Sequence, residues 1–140
     1  MFKLSKKTEY GILALQHMMT LDADRVATVK EIAEQHNIPK SLLAKICQQL
    51  AKSKIIQSVQ GSRGGYTLKL QPSEISLSAV MEAIEGPLHI VDCNLDHESC
   101  DRNDNCTLKV GLNPLQQQLS TFLNNVTLAS FATSSQGEVL

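Results

Sequence analysis

The sequence predicts a mainly α fold with a small β wing: a winged helix-turn-helix followed by a long C-terminal dimerisation helix. Three observations carry this. Apolar residues recur at helical spacing through three segments of the first half. A turn with three glycines, Gly61-Ser62-Arg63-Gly64-Gly65, separates two short strand-like runs. A last stretch repeats apolar residues at spacings of three and four, and it offers more apolar surface than a monomer of 140 residues can easily cover.

Taken in order, Tyr10, Leu13, Ala14, His17, Met18 and Leu21 share one face of a first helix expected from about Leu4 to Leu21, broken by Asp22-Ala-Asp24-Arg25. Thr28 and Glu31 have capping-box spacing, in which hydroxyl and carboxyl satisfy each other's exposed N–H groups. They open a short helix, Val29 to His36, with Val29, Ile32 and Ala33 on its apolar face. Asn37-Ile38-Pro39 makes a turn, and proline suits a helix start because its missing N–H would go unpaired there. The next helix, about Pro39 to Ser53, buries Leu42, Leu43, Ile46, Cys47 and Leu50. Its other face shows Lys40, Ser41, Ala44, Lys45, Gln48 and Gln49, short or basic side chains suited to base edges and phosphates in a major groove. Ile55 to Val59 and Tyr66 to Leu70 read as the strands of a hairpin with Arg63 at its tip, the shape of a wing that enters a minor groove.

Ser76 to Ile84 forms a short helix stopped by Gly86-Pro87. Leu108, Leu112, Leu115, Leu119, Phe122, Leu123 and Val126 then mark the long helix. Pro114 lies inside this pattern, where it either kinks the helix or marks its first turn with Asn113 as cap. The chain divides into a DNA-binding region (1–86), a cysteine loop (87–107), a dimerisation helix (108–131) and a flexible tail (132–140).

The net charge of −1 conceals two unlike halves: residues 1–70 carry about +6 and residues 71–140 about −7. A basic half serves phosphate binding, and an acidic half keeps the rest of the chain off the duplex. No apolar run approaches the roughly 20 residues of a membrane span. The apolar stretch Tyr10 to Leu15 is too short for a secretory signal, so the expected location is cytoplasmic, with no membrane partner. Thiols stay reduced there, and clustered cysteines favour metal or redox chemistry over disulfides.

Cys93, Cys100 and Cys106 lie in one polar stretch with the spacing Cys-x6-Cys-x5-Cys. Clustered thiolates are soft metal ligands. Closed structural zinc sites use tighter pairs, and a metal cluster, zinc and direct thiol oxidation all stay open at this point. His97 lies inside the stretch as a rival fourth ligand. Cys47 sits on the apolar side of its helix as a small core residue, and His17 and His36 are expected at a helix surface or partly buried. There is no phosphate-binding glycine loop, no Cys-x-x-Cys and no Ser/His/Asp set, and Asp92, Asp96, Glu98, Asp101 and Asp104 read as a solvated loop, so an enzyme is not expected.

The order of parts, together with Leu4-Ser-Lys-Lys-Thr-Glu-Tyr-Gly, Val59-Gln-Gly-Ser-Arg-Gly-Gly-Tyr66 and Phe122-Leu-Asn-Asn-Val-Thr-Leu128, resembles the Rrf2 family of bacterial regulators, which includes the IscR and NsrR types. The resemblance spans residues 1–131. It implies a homodimeric winged-helix regulator with an iron–sulfur cluster on Cys93, Cys100 and Cys106. It also implies contacts to a double-stranded, inverted-repeat operator from the helix with Lys40, Ser41 and Lys45, and from Gln60, Ser62, Arg63 and Gly64 of the wing. In the IscR type a histidine stands three positions after the third cysteine; here that position is Lys109, which cannot ligate while protonated. In the NsrR type an acidic residue of the first helix reaches across the dimer as fourth ligand, and Glu9 matches it. The resemblance therefore favours a 4Fe–4S over a 2Fe–2S cluster.

Overall fold

Ser5 opens the first helix by accepting the Thr8 N–H on its hydroxyl at 3.2 Å, and α1 runs Lys6–Met19. The computed structural model describes residues 3–22, 24–62, 64–90 and 107–132. Helix α1 ends at Met19, two residues before Leu21, and the cap Thr20 bonds its hydroxyl to the His17 carbonyl at 2.7 Å. The hydroxyl adds a second donor to a last-turn carbonyl that the Thr20 N–H also reaches, at 3.2 Å.

Helix α2 spans Val29–His36. Thr28 caps it as expected, accepting the Glu31 N–H at 3.0 Å. The expected return bond is replaced, because the Glu31 carboxylate turns to His17 Nε2 at 2.7 Å. Asn37 closes α2 with φ 56°, a left-handed conformation that asparagine tolerates. Helix α3, Lys40–Lys52, follows at once, with Leu43, Ile46, Cys47 and Leu50 buried and Leu42 half-buried.

Strands β1 (Ile56–Val59) and β2 (Gly65–Leu68) pair antiparallel, with Ile56 opposite Leu68 and Val59 opposite Gly65. β2 stops at Leu68, two residues short of expectation; Tyr66 and Leu68 pack on the core but Leu70 faces out, 36% exposed. A 3₁₀ turn, Pro72–Glu74, leads to α4, Leu77–Glu85, capped by the Ser76 hydroxyl on the Ala79 N–H at 3.0 Å.

Helix α5 runs Thr107–Asn125 and a 3₁₀ turn Leu128–Phe131 follows. Pro114 is interior, seven residues past the start, which overturns the first-turn reading with Asn113 as cap. Its ring removes one backbone donor from a helix that is largely exposed, where water can serve the freed carbonyl. The end of α5 is stitched back to the first half: Leu77 N–H donates to the Val126 carbonyl at 2.7 Å, and Leu128 N–H to the Ile75 carbonyl at 2.9 Å. The core lies between α1, α3 and α4 and includes Leu15, Ile32, Leu43, Ile46, Leu50, Ile75, Val80 and Leu128, all essentially inaccessible. His17 belongs with them at 6% exposure, against the expectation of a surface or partly buried residue. The expected tail, residues 132–140, falls outside the described residues after Ala132. Among the described residues no helix is long and apolar enough to cross a membrane.

Candidate nucleic-acid interface and cysteine segment

Helix α3 divides cleanly. Its buried side fixes it on α1, α2 and α4, while Lys40, Ser41, Lys45, Gln48 and Gln49 are exposed. Its first turn holds no acidic residue. The positive end of its dipole therefore has no carboxylate on its own first turn, and Lys40 adds to the same field, although Glu34 of α2 lines the pocket beside Lys40. Gln49 is less free than its position suggested, since its amide donates to the Ile84 carbonyl at 3.4 Å.

The wing is held at its base as well as along its strands. Ala27, in the connection before α2, exchanges both backbone bonds with Tyr66, at 2.9 and 2.8 Å, as a one-residue third strand. The approach requires glycine at 65: a Cβ there would lie 2.4 Å from the Ala27 carbonyl oxygen. At the tip, Gly61 takes φ 129° and its carbonyl accepts the Gly64 N–H at 3.0 Å. Gln60 and Ser62 are exposed and Gly64 is half-buried; Arg63 lies outside the described residues. A cleft of about 600 Å³ beside the wing is lined by Asp24, Arg25, Val26, Thr28, Val59 and Ser62. It places exposed Arg25 beside the wing, together with Asp24, residues that the sequence showed only as part of a helix break.

Cys93, Cys100, Cys106 and His97 fall outside the described residues, and among the described residues no group of three or more histidines, cysteines and carboxylates could hold a metal ion. The flanks of the cysteine segment are well defined. The Gln116 side chain of α5 accepts the Ile90 N–H and donates to the Leu88 carbonyl, both at 2.8 Å. The chain thus enters the segment from α5 and returns to the start of α5 at Thr107. Nine helical steps separate positions 107 and 116, about 14 Å. In the sequence Cys93 comes three residues after Ile90 and Cys106 one residue before Thr107. Three thiolates match the softness of an iron–sulfur centre or zinc.

Glu9 stands on the first turn of α1, 45% exposed, with Lys6 Nζ at 3.2 Å from its carboxylate. One turn earlier, the Ser5 hydroxyl donates to Glu85 at the end of α4, so the start of α1 lies against the helix from which the cysteine segment departs. Cys47 is buried among apolar side chains, and burial pushes its thiol up to about 11, which makes it inert at neutral pH. His89 is exposed and its Nδ1 lies 3.1 Å from the Pro87 carbonyl.

The family model of Rrf2, described as an iron-dependent transcriptional regulator, matches residues 4–134. Among solved structures, Staphylococcus aureus CymR is 26% identical, with a TM-score of 0.69 over 93% of this chain and 98% of that one. CymR (YrzC), the global cysteine regulator of B. subtilis, is 24% identical, with a TM-score of 0.71 over 94% of this chain and 97% of that one. T. potens IscR is 23% identical, with a TM-score of 0.70 over 93% of this chain and 85% of that one. With the model spanning nearly the whole sequence on a winged-helix fold, the chain belongs to the Rrf2 family of transcription regulators.

Proposed function

We propose that the protein is a homodimeric regulator whose grip on an inverted-repeat DNA operator is set by an iron–sulfur cluster on Cys93, Cys100 and Cys106. The family match over residues 4–134 carries this reading, and the exposed cationic face of α3 supports it. In this reading residues 1–86 bind DNA, 87–107 carry the cluster, 108–131 form the dimer and 132–140 are a free tail. Lys40, Ser41 and Lys45 enter a major groove, and Gln60, Ser62, Arg63 and Gly64 enter the flanking minor groove. Glu9 of the partner subunit supplies a hard carboxylate as fourth ligand, with His97 as its rival. Lys109 in place of a histidine favours 4Fe–4S over 2Fe–2S. A bound cluster supplies a state that changes with iron supply, nitric oxide or redox conditions. A ligand on α1 would tie that state to the helix packed on α3 and α4, and so to the spacing of the two recognition helices.

A second reading keeps the fold and replaces the cluster by thiol oxidation or zinc. It is favoured by S. aureus CymR, solved also in an oxidised form, 25% identical with a TM-score of 0.70 over 95% of this chain and 98% of that one. Protein purified without oxygen decides between them. A coloured protein with iron and sulfide, lost in Cys93→Ala, Cys100→Ala and Cys106→Ala but kept in Cys47→Ala, supports the cluster. Colourless protein with full operator binding that responds to oxidant or zinc supports the second reading. Glu9→Ala is expected to form a cluster with an altered spectrum and faster loss in air; a wild-type result there, with a changed His97→Ala, assigns the ligand to His97.

A further inference from the structure

We propose that His17, Glu31 and His36 form a proton-limited strut between α1 and α2, which holds with one added proton and releases on the second. His17 is buried in the last turn of α1, and both its ring nitrogens are engaged by α2. Nε2 lies 2.7 Å from Glu31 Oε2, and Nδ1 lies 3.2 Å from His36 Nε2, the two rings meeting edge to face at 79°.

The carboxylate can only accept, so His17 Nε2 carries hydrogen. With both imidazoles neutral, His36 Nε2–H donates to the bare Nδ1 of His17. One proton from solvent sits on His17 Nδ1, His36 shifts its hydrogen to its own Nδ1, and both contacts survive with the donor reversed. A second proton puts N–H on both facing nitrogens. Two donors then oppose each other at hydrogen-bond distance, and two positive charges share one carboxylate.

The other titratable groups on the elements packed against α1 do not relieve this. Cys47 of α3 and Tyr66 of β2 are both pushed up by burial and stay neutral. Lys30 and Glu34 of α2, Lys40, Lys45 and Lys52 of α3, and Glu82 and Glu85 of α4 are exposed to water. Burial, and then the charge of His17, hold His36 below its ordinary 6.5. The folded state thus binds the second proton more weakly than the unfolded chain. The contribution to stability is complete above pH 6.5 and is lost as pH falls toward the folded value. Helix α2 packs on the recognition helix α3, so the strut bears on the surface offered to DNA.

Long-range proton–nitrogen NMR of the full chain between pH 5 and 8 tests the strut without reference to DNA. The expected result is a His17 ring with hydrogen on Nε2 throughout, and a His36 titration below 6.5 that moves the His17 signals in the same step. Titration of His36 at or above 6.5 with His17 unaffected overturns the proposal. In thermal melts, wild type is expected to lose about 3 °C more than His36→Gln between pH 7.5 and 5.5. The glutamine amide keeps a donor for His17 but takes no proton, so equal losses in both proteins also overturn it.

Discussion

Helix α3 places Leu43, Ile46, Cys47 and Leu50 in the core, while α5, six residues longer, places only Leu123 there. On α5, Leu108, Val110, Leu115 and Phe122 stand 49 to 75% exposed. Both helices read as amphipathic by the same spacing rule. The difference lies in what covers the apolar stripe: for α3 the cover is α1, α2 and α4 of its own chain, and for α5 only one edge meets α4. Periodicity reports that a face needs cover and is silent about who provides it. The exposed polar residues differ too. α3 turns lysines outward, while α5 shows Gln117, Gln118, Asn124 and Asn125, which neither attract phosphate nor repel a second copy.

The sharpest way to break this contrast is to charge the exposed stripe. Leu115→Glu with Phe122→Glu is expected to turn the dimer into monomer in light scattering, since an unpaired charge buried at an interface costs about 3–5 kcal/mol. Helical content is expected to persist. A wild-type protein that is already monomeric at micromolar concentration sinks the reading of α5. These positions serve better than Leu119, which packs partly on its own chain's core. Next in size, Leu43→Ala should lower unfolding stability by roughly 2–5 kcal/mol in urea titration. A loss below half of that would mean α3 is less tightly enclosed than its burial implies. Gly65→Ala is expected to cost about 1–3 kcal/mol, because the new methyl meets the Ala27 carbonyl. Wild-type melting in that variant would show that the base of the wing yields. The smallest effect sharpens the α3 side: Lys45→Ala should weaken operator binding less than tenfold and reduce the salt slope by about 0.9. An unchanged slope in gel-shift titrations at several salt concentrations removes Lys45 from the phosphate contacts.

Much of this was legible in the residues. Thr28 and the run Leu43 to Leu50 declared their helices because capping and periodicity act locally. What escaped was set by contacts distant in sequence. Glu31 has capping-box spacing, yet its carboxylate went to His17, fourteen positions away. Pro114 looked like a beginning because proline favours the first turn, but the helix starts at Thr107. The strand at Tyr66 is completed by Ala27, which has no strand signal of its own. Cys93, Cys100 and Cys106 lie outside the described residues, and the hold of Gln116 on Leu88 and Ile90 left no trace in any local pattern.

The pairing of Ala27 with Tyr66 has a mechanical consequence. The wing cannot swing without dragging the start of α2, and α2 is packed against α3. On the proposed reading, in which α3 and the wing both touch DNA, the two therefore behave like the jaws of a calliper with its screw tightened. A duplex gripped by both must present a groove of the set width, or bend until it does. The energy of that bending depends on base steps that neither jaw touches, so a stiff wing turns DNA shape into sequence preference.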